Sequence, residues 1–354
     1  MEELDNIEYI KKIDRENMGA SIHSLPDDMF ALLRKLKDFE TWNMGEINKI
    51  LFAGMGGSAI AGDLVSHWLM DRLDAPIFVV RSPSIPAWVD EKTLGIFISY
   101  SGNTKETISA FKEAKDRGSK IVTISSGGLL EELSKKYKIR HIKVKKGMQP
   151  RAAIAHLFLS SLIPLYANRI IGKKEMEDIE EAVNTAKKLR EEIRIEEPSD
   201  KNVAKKIAIK IKGKMPWIYA YDFLIPVARR WVTQINENSK TLAIYFEVPE
   251  CNHNHVVALA ENIKEFKIAP VFLRSEEDEF TQINMDYLEE IYRKNSIEPI
   301  EVKAHGESKL AKMFCSLYLG DYVSYYLSLL RNVDPTPVDT IAELKRRLRA
   351  QGRV

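Results

Sequence analysis

Two glycine- and hydroxyl-rich segments in the first half of the 354-residue chain have the makings of an anion grip. Gly54-Met55-Gly56-Gly57-Ser58 follows the apolar run Ile50-Leu51-Phe52-Ala53 and leads into a helical pattern opened by Ala59. Glycines let the main chain approach a ligand closely, and the unpaired N–H groups of a helix start attract negative charge. Gly54, Gly56 and Ala59 also satisfy the spacing of the dinucleotide fingerprint, which keeps an NADP-dependent oxidoreductase in view. The next apolar run ends Val79-Val80-Arg81, with no acid for a ribose 2′-hydroxyl, and Arg81 suits a 2′-phosphate instead. The second segment, Ser99-Tyr100-Ser101-Gly102-Asn103-Thr104-Lys105-Glu106-Thr107, favours a phosphate monoester. It gathers Ser99, Ser101, Thr104 and Thr107 around Gly102, and short hydroxyl side chains at a helix start are natural donors to phosphate. Helix capping accounts for one such hydroxyl, not for four in nine residues. Ile124-Ser125-Ser126-Gly127-Gly128 is similar in composition, and reads equally as a ligand contact or as an ordinary strand-to-helix turn. Arg151, directly after the helix-starting Pro150, could hold a substrate oxygen bidentately; a surface ion pair is the competing reading.

The second half supplies groups for proton transfer. Glu237, between Asn236 and Asn238, stands where a helix carrying Val232 and Ile235 runs into a loop. A carboxylate there, with no lysine four residues on, suits a general base, although a solvated helix-end glutamate is the plainer account. Cys251-Asn252-His253-Asn254-His255 holds two of the seven histidines. In a strand both rings would share a face and, with Glu250 or Cys251, could bind a metal. One ring could instead shuttle a proton, or neither does chemistry. With no second ligand cluster elsewhere the metal reading has little support, and no metal is expected. Asp334-Pro335-Thr336-Pro337-Val338 is a rigid turn before a helix carrying Lys345, whose basic face is ordinarily just solvated.

These residues need a scaffold, and the apolar runs describe one. Ile50 to Ala53, Ile77 to Val80, Gly95 to Ile98, Ile121 to Ile124 and His141 to Val144 alternate with helical patterns, as in a parallel α/β sheet covered on both faces. Leu25, Phe30, Leu33 and Leu36 read as the docking residues of a helical N-terminal segment. Ile179, Val183, Ala186, Leu189 and Ile193 form one apolar stripe on a charged helix that Pro198 brings to an end. After it come further strands at Trp217 to Ala220, Thr241 to Ile244, Pro270 to Leu273 and Pro299 to Val302. The expected fold is α/β: two doubly wound parallel-sheet domains, 1–170 and 201–354, joined by a helical connector over 171–200. The hydrophobic fraction of 45%, charged fraction of 29% and net charge of +2 are those of an ordinary globular protein and argue against a dedicated nucleic-acid binder. Two widely separated cysteines, Cys251 and Cys315, suit a reducing compartment. The acidic start has no signal-peptide character, and the longest apolar stretch, from Ala152 to Ala167, is interrupted by His156 and Pro164. A soluble, cytoplasmic protein with no membrane partner is expected.

Taken together and in order, these motifs resemble the bifunctional phosphoglucose/phosphomannose isomerases. The resemblance rests on Ala53 to Ala59, Ser99 to Thr107, Met148 to Arg151, Asn236 to Asn238 and Asn252 to Asn254. It continues through His305 to Ser308, Gly320 to Ser324 and Asp334 to Pro337. It implies two sugar-isomerase domains and interconversion of glucose 6-phosphate or mannose 6-phosphate with fructose 6-phosphate through a cis-enediol, without cofactor or metal. It further implies that Gly57, Ser58, Ser99, Ser101 and Thr104 bind the phosphate, and that Arg151 steadies the enediolate. Glu237 would move the proton between C2 and C1. His253, supplied across a homodimer interface, would assist ring opening with Lys345, and Thr336 would leave room for both C2 epimers. An isomerase of another phosphosugar and a non-catalytic sugar-phosphate sensor are the other readings, the latter lacking any segment that reads as an effector.

Overall fold

In a computed structural model that describes residues 2–350, the apolar runs of the first half form β1 (Lys49–Ala53), β2 (Ile77–Val80), β3 (Thr93–Ile98), β4 (Lys120–Ser125) and β5 (Arg140–Lys143). All pair in parallel in the order β2-β1-β3-β4-β5. A strand covered on both faces needs no polar alternation, and every residue of β3 is accordingly buried. The edge strands β2 and β5 are partly exposed. Since β2 lies to one side of β1 and β3 to the other, the connections diverge there, and such a switch point opens a crevice at the carboxyl ends of the strands.

The second half repeats the grammar with β6 (Met215–Tyr221), β7 (Ile244–Val248), β8 (Ile268–Arg274) and β9 (Ile300–Lys303), parallel in the order β7-β6-β8-β9. Of these, β7 runs over different residues from those expected. Thr241 to Ala243 precede it, with Leu242 largely exposed, while the strand continues through Glu247. As a half-exposed edge strand it admits a charged residue that interrupts the apolar signal.

The chain forms two compact units, each discontinuous in sequence: Asp27–Glu177 with Pro337–Val354, and Met1–Pro26 with Asp178–Thr336. These bounds differ from a division at residues 170 and 200. The charged segment is one continuous helix, Lys173–Ile193, which contains the division and buries the stripe Ile179, Val183, Ala186, Leu189 and Ile193. The N-terminal helices belong with the second sheet because Asp14 accepts from Met18 N at 2.7 Å, Gly19 N at 2.8 Å and the Tyr325 hydroxyl at 3.0 Å. Of the expected docking residues, Leu25, Leu33 and Leu36 are buried, but Phe30 is 45% exposed. Among the described residues no helix is long and apolar enough to cross a membrane.

Candidate active site

The two segments singled out first lie at the carboxyl ends of β1 and β3, on either side of the switch point. The helix Gly57–Leu69 starts from Gly56 (φ 51°, ψ −127°) without a side-chain cap. A side chain at Gly57 would press on Pro150 O at 3.2 Å and Arg151 Cα at 3.5 Å, so this glycine lets Arg151 approach the first loop. Arg151 is 4% exposed and so does not stand on the surface.

The hydroxyls are pre-set for donation. Ser58 Oγ accepts from Tyr100 N at 3.3 Å, and Ser101 Oγ from Asn103 N at 3.3 Å. Thr104 Oγ1 accepts from Ser99 Oγ at 2.9 Å. Each of Ser58, Ser101 and Thr104 has thus used a lone pair and keeps its own proton for a ligand. Thr104 precedes the helix Lys105–Asp116 but makes no capping bond, so its hydroxyl is not consumed by the structural role that its position suggests. Ser99 is 1% exposed and spends its proton on Thr104, which makes it an orienting residue of this grip. Thr107 is buried within the helix. Arg81 pairs with the buried Asp63 carboxylate, so the charge that would have suited a 2′-phosphate is already committed.

The Gly/Ser-rich end of β4 turns out to be a brace. Ser126 donates from both N (2.9 Å) and Oγ (2.8 Å) to Tyr100 O. At the start of the helix Gly128–Lys136, Leu129 N donates to Asn103 Oδ1 at 3.0 Å and Leu130 N to Gly102 O at 2.9 Å. The second loop therefore occupies the N–H groups that could have held an anion. Tyr100 was not singled out from sequence, yet it ties the parts together: its hydroxyl accepts from Met148 N at 2.8 Å and donates to Lys145 O at 2.9 Å. Its place between Ser99 and Ser101 was the one available signal. Tyr100→Phe strands both groups at a cost of about 1–3 kcal/mol and loosens the segment leading to Arg151. Its kcat/KM is expected to fall about tenfold in steady-state assays; an unchanged value would show that the strap does not orient Arg151.

The corresponding strand end in the second sheet is built for a different purpose. Arg274 is held by Glu277 at 2.5 Å, Asp286 at 2.7 Å and Glu289 at 3.0 Å, beside a cavity of about 600 Å³ with an excess of acids. It is no second phosphate grip. The candidate base stands elsewhere, in the last turn of the helix Ile225–Asn238, where Glu237 is half-buried. That helix is locked to the helix Lys309–Leu330 by Arg230, which grips Asp321 through Nε at 3.0 Å and Nη2 at 2.7 Å. Gln234 adds a bond to Asp321 Oδ1 at 2.8 Å, and Asn238 donates to Ser324 Oγ at 2.9 Å. Gly320 permits this approach, since a Cβ there would fall 2.1 Å from Trp231 Nε1. Burial pushes the Asp321 carboxyl up from its ordinary value, against the lowering effect of Arg230. Thr336 is buried in the same unit, its N–H on Asp334 Oδ1 at 2.9 Å.

His253 and His255 do not form the strand pair considered above. His253 is exposed on the 3-10 turn Glu250–His253, and His255 opens the helix His255–Asn262. The His255 ring stacks on Phe246 at 4.0 Å and shares a 2.8 Å hydrogen bond with the Tyr219 hydroxyl, and burial lowers its pKa. Burial raises the Cys251 thiol to about 12, which disfavours a thiolate ligand. Among the described residues no three His, Cys, Asp or Glu side chains are grouped to hold a metal. Lys345 is exposed on the helix Asp339–Ala350, in the unit of the two glycine- and hydroxyl-rich loops and not in that of Glu237, His253 and Thr336.

Known proteins resemble this chain in both halves. Residues 44–158 match the SIS domain family, and residues 200–348 match the bacterial phospho-glucose isomerase C-terminal SIS domain. A bifunctional phosphoglucose/phosphomannose isomerase of Caldicellulosiruptor bescii is 38% identical over 338 residues, covering 94% of this chain and 98% of that protein. One from Aquifex aeolicus is 36% identical, covering 85% and 90%. Among solved structures, a hypothetical protein from Thermus thermophilus superposes with a TM-score of 0.75 at 15% identity, over 95% of this chain and 90% of that one, which is a likeness of fold.

Proposed function

The chain belongs to the bifunctional phosphoglucose/phosphomannose isomerases, and from that premise we propose how its residues divide the reaction. It is an aldose–ketose isomerase of hexose phosphates. Ser58, Ser101 and Thr104 donate to the 6-phosphate, with the Gly57 backbone beside them and Ser99 acting through Thr104. Three hydroxyls that have each accepted a bond and kept a proton are the observation that carries this assignment. Arg151, buried against Gly57, lies over the same loop and stabilises the negative oxygen of the enediolate.

With the phosphate fixed, the sugar ring must open before a proton alpha to the carbonyl is removed. His253 and Lys345 assist at the ring oxygen. Glu237 takes the proton from C2 and returns it to C1, general base and then general acid in one turnover. The planar enediol has lost the configuration of C2, so glucose and mannose 6-phosphates converge on it, and Thr336 leaves space for either epimer. A second copy of the chain is part of the proposal, supplying His253 from its exposed turn. A reducing cytoplasm is the proposed setting, in keeping with two buried free thiols. The test is a coupled assay for fructose 6-phosphate made from each aldose phosphate, with and without a chelator. Turnover of both, unaffected by chelation, is expected; activity on neither sugar rejects the reading.

A further inference from the structure

A helix leaves its last carbonyl groups without helical partners, and a cation is the natural group to take them up. Past the helix Ile225–Asn238 this task is shared by two cations. Lys240, in a left-handed conformation (φ 52°), turns its ammonium back onto Glu237 O at 2.8 Å and Asn238 O at 3.2 Å. The same nitrogen meets Asp334 O at 2.9 Å and Pro335 O at 3.1 Å. Arg331 Nη1 donates to Ser239 O, Lys240 O and Thr241 Oγ1 at 2.6, 2.5 and 2.6 Å. Thr336 follows directly on Pro335, anchored by its own N–H to Asp334 Oδ1 at 2.9 Å. The carbonyl of Glu237 and the carbonyl that precedes Thr336 therefore converge on one ammonium group.

We propose that Lys240 is a positioning residue that sets the spacing between Glu237 and Thr336 and, through that spacing, the preference between the two C2 epimers. The inference rests on the roles given to Glu237 and Thr336 above. Both aldoses reach the same enediol, so discrimination depends on how the base meets C2 and how much room remains beside it. Displacements of about 1 Å change rates by as much as 100-fold in such arrangements. The ammonium also offsets a cost of the site, since a carboxylate in the last turn of a helix faces the negative end of the dipole. Lys240 is not identifiable from residue type, because the four acceptors that converge on it here are main-chain oxygens.

Lys240→Met retains the aliphatic stem and removes the ammonium at an exposed position, with thermal unfolding measured alongside. The measurement is kcat/KM for glucose 6-phosphate and for mannose 6-phosphate, with competitive inhibition by inorganic phosphate as the readout of the grip. The ratio of the two kcat/KM values is expected to shift at least about threefold, with phosphate inhibition unchanged and the shift partly reversed in Lys240→Arg. Arg331→Met, which loosens 239–241 without releasing Asp334 or Pro335, is expected to leave the ratio at its original value. An unmoved ratio in Lys240→Met, or an equal shift in Arg331→Met, overturns the role of Lys240 alone. Turnover of neither sugar by the unaltered chain overturns this role together with the reading it rests on.

Discussion

Glu237→Gln is expected to reduce kcat for both aldose phosphates by about 10³-fold while inhibition by inorganic phosphate keeps its original strength. The substitution keeps the size of the side chain and one carbonyl oxygen but removes the group that can hold a proton in transit. The main chain at this position is held by carbonyl bonds to Lys240 and by the neighbouring Asn238–Ser324 bond, none of which uses the carboxylate. The loss is expected to fall on kcat, with thermal unfolding measured alongside it as the check on the fold. The proposed phosphate donors Ser58, Ser101 and Thr104 belong to the other compact unit, and the phosphate inhibition constant serves as an internal control. Retention of ordinary turnover would take Glu237 out of the mechanism. An equal loss of phosphate inhibition would mean that the variant had damaged the fold.

Gly102→Ala is expected to lower kcat/KM at least about 100-fold and to destabilise the chain by about 3 kcal/mol or more. At φ +71° a side chain is already strained, and its Cβ would lie 1.7 Å from Gly127 O. Relief requires the second loop to leave the β4 turn, which breaks the bonds from Leu130 N to Gly102 O and from Leu129 N to Asn103 Oδ1. Ser101 and Thr104 stand on either side and move with it. Gly118→Ala separates strain from collision: φ is +76°, yet the nearest contact of the new Cβ is Glu91 Cβ at 4.0 Å. Gly118→Ala should cost about 1–2 kcal/mol and leave kcat/KM close to its original value. Equal kinetic effects in the two variants would show that the grip does not depend on the brace.

The strands of the first sheet were legible because burial on both faces writes itself as an unbroken apolar run, as in Gly95 to Ile98. β7 was displaced in the reading because an edge strand tolerates Glu247 and an exposed Ile244. The two loop segments stood out in composition, since an excess of hydroxyls and glycines has few structural uses. Their internal wiring was not. Nothing in residue type separates Ser99, whose proton is consumed, from Ser101, whose proton is kept. Arg151 is a buried arginine that looked equally suited to the surface, and burial is a property of the packing around it. Tyr100 and Lys240 act through main-chain acceptors and donors, which any sequence provides, so neither leaves a compositional trace. The sequence order of the chain also concealed that its first and last segments exchange places between the compact units.

That exchange has a bearing on biosynthesis. The span from Asp27 to Glu177 emerges from the ribosome as one stretch holding the whole five-stranded sheet. The first 26 residues emerge before it but belong with the second unit. Asp14 must wait for Tyr325, 311 positions further along the chain. At about 5–20 residues per second that is roughly 15–60 s during which Ile10, Ile13, Met18 and Ile22 lack the surface that will cover them. The nascent chain thus carries an apolar segment whose partners are translated long after it. Nascent-chain binding factors would meet this segment before its partners are made, and the five-stranded sheet is synthesised whole before the four-stranded one.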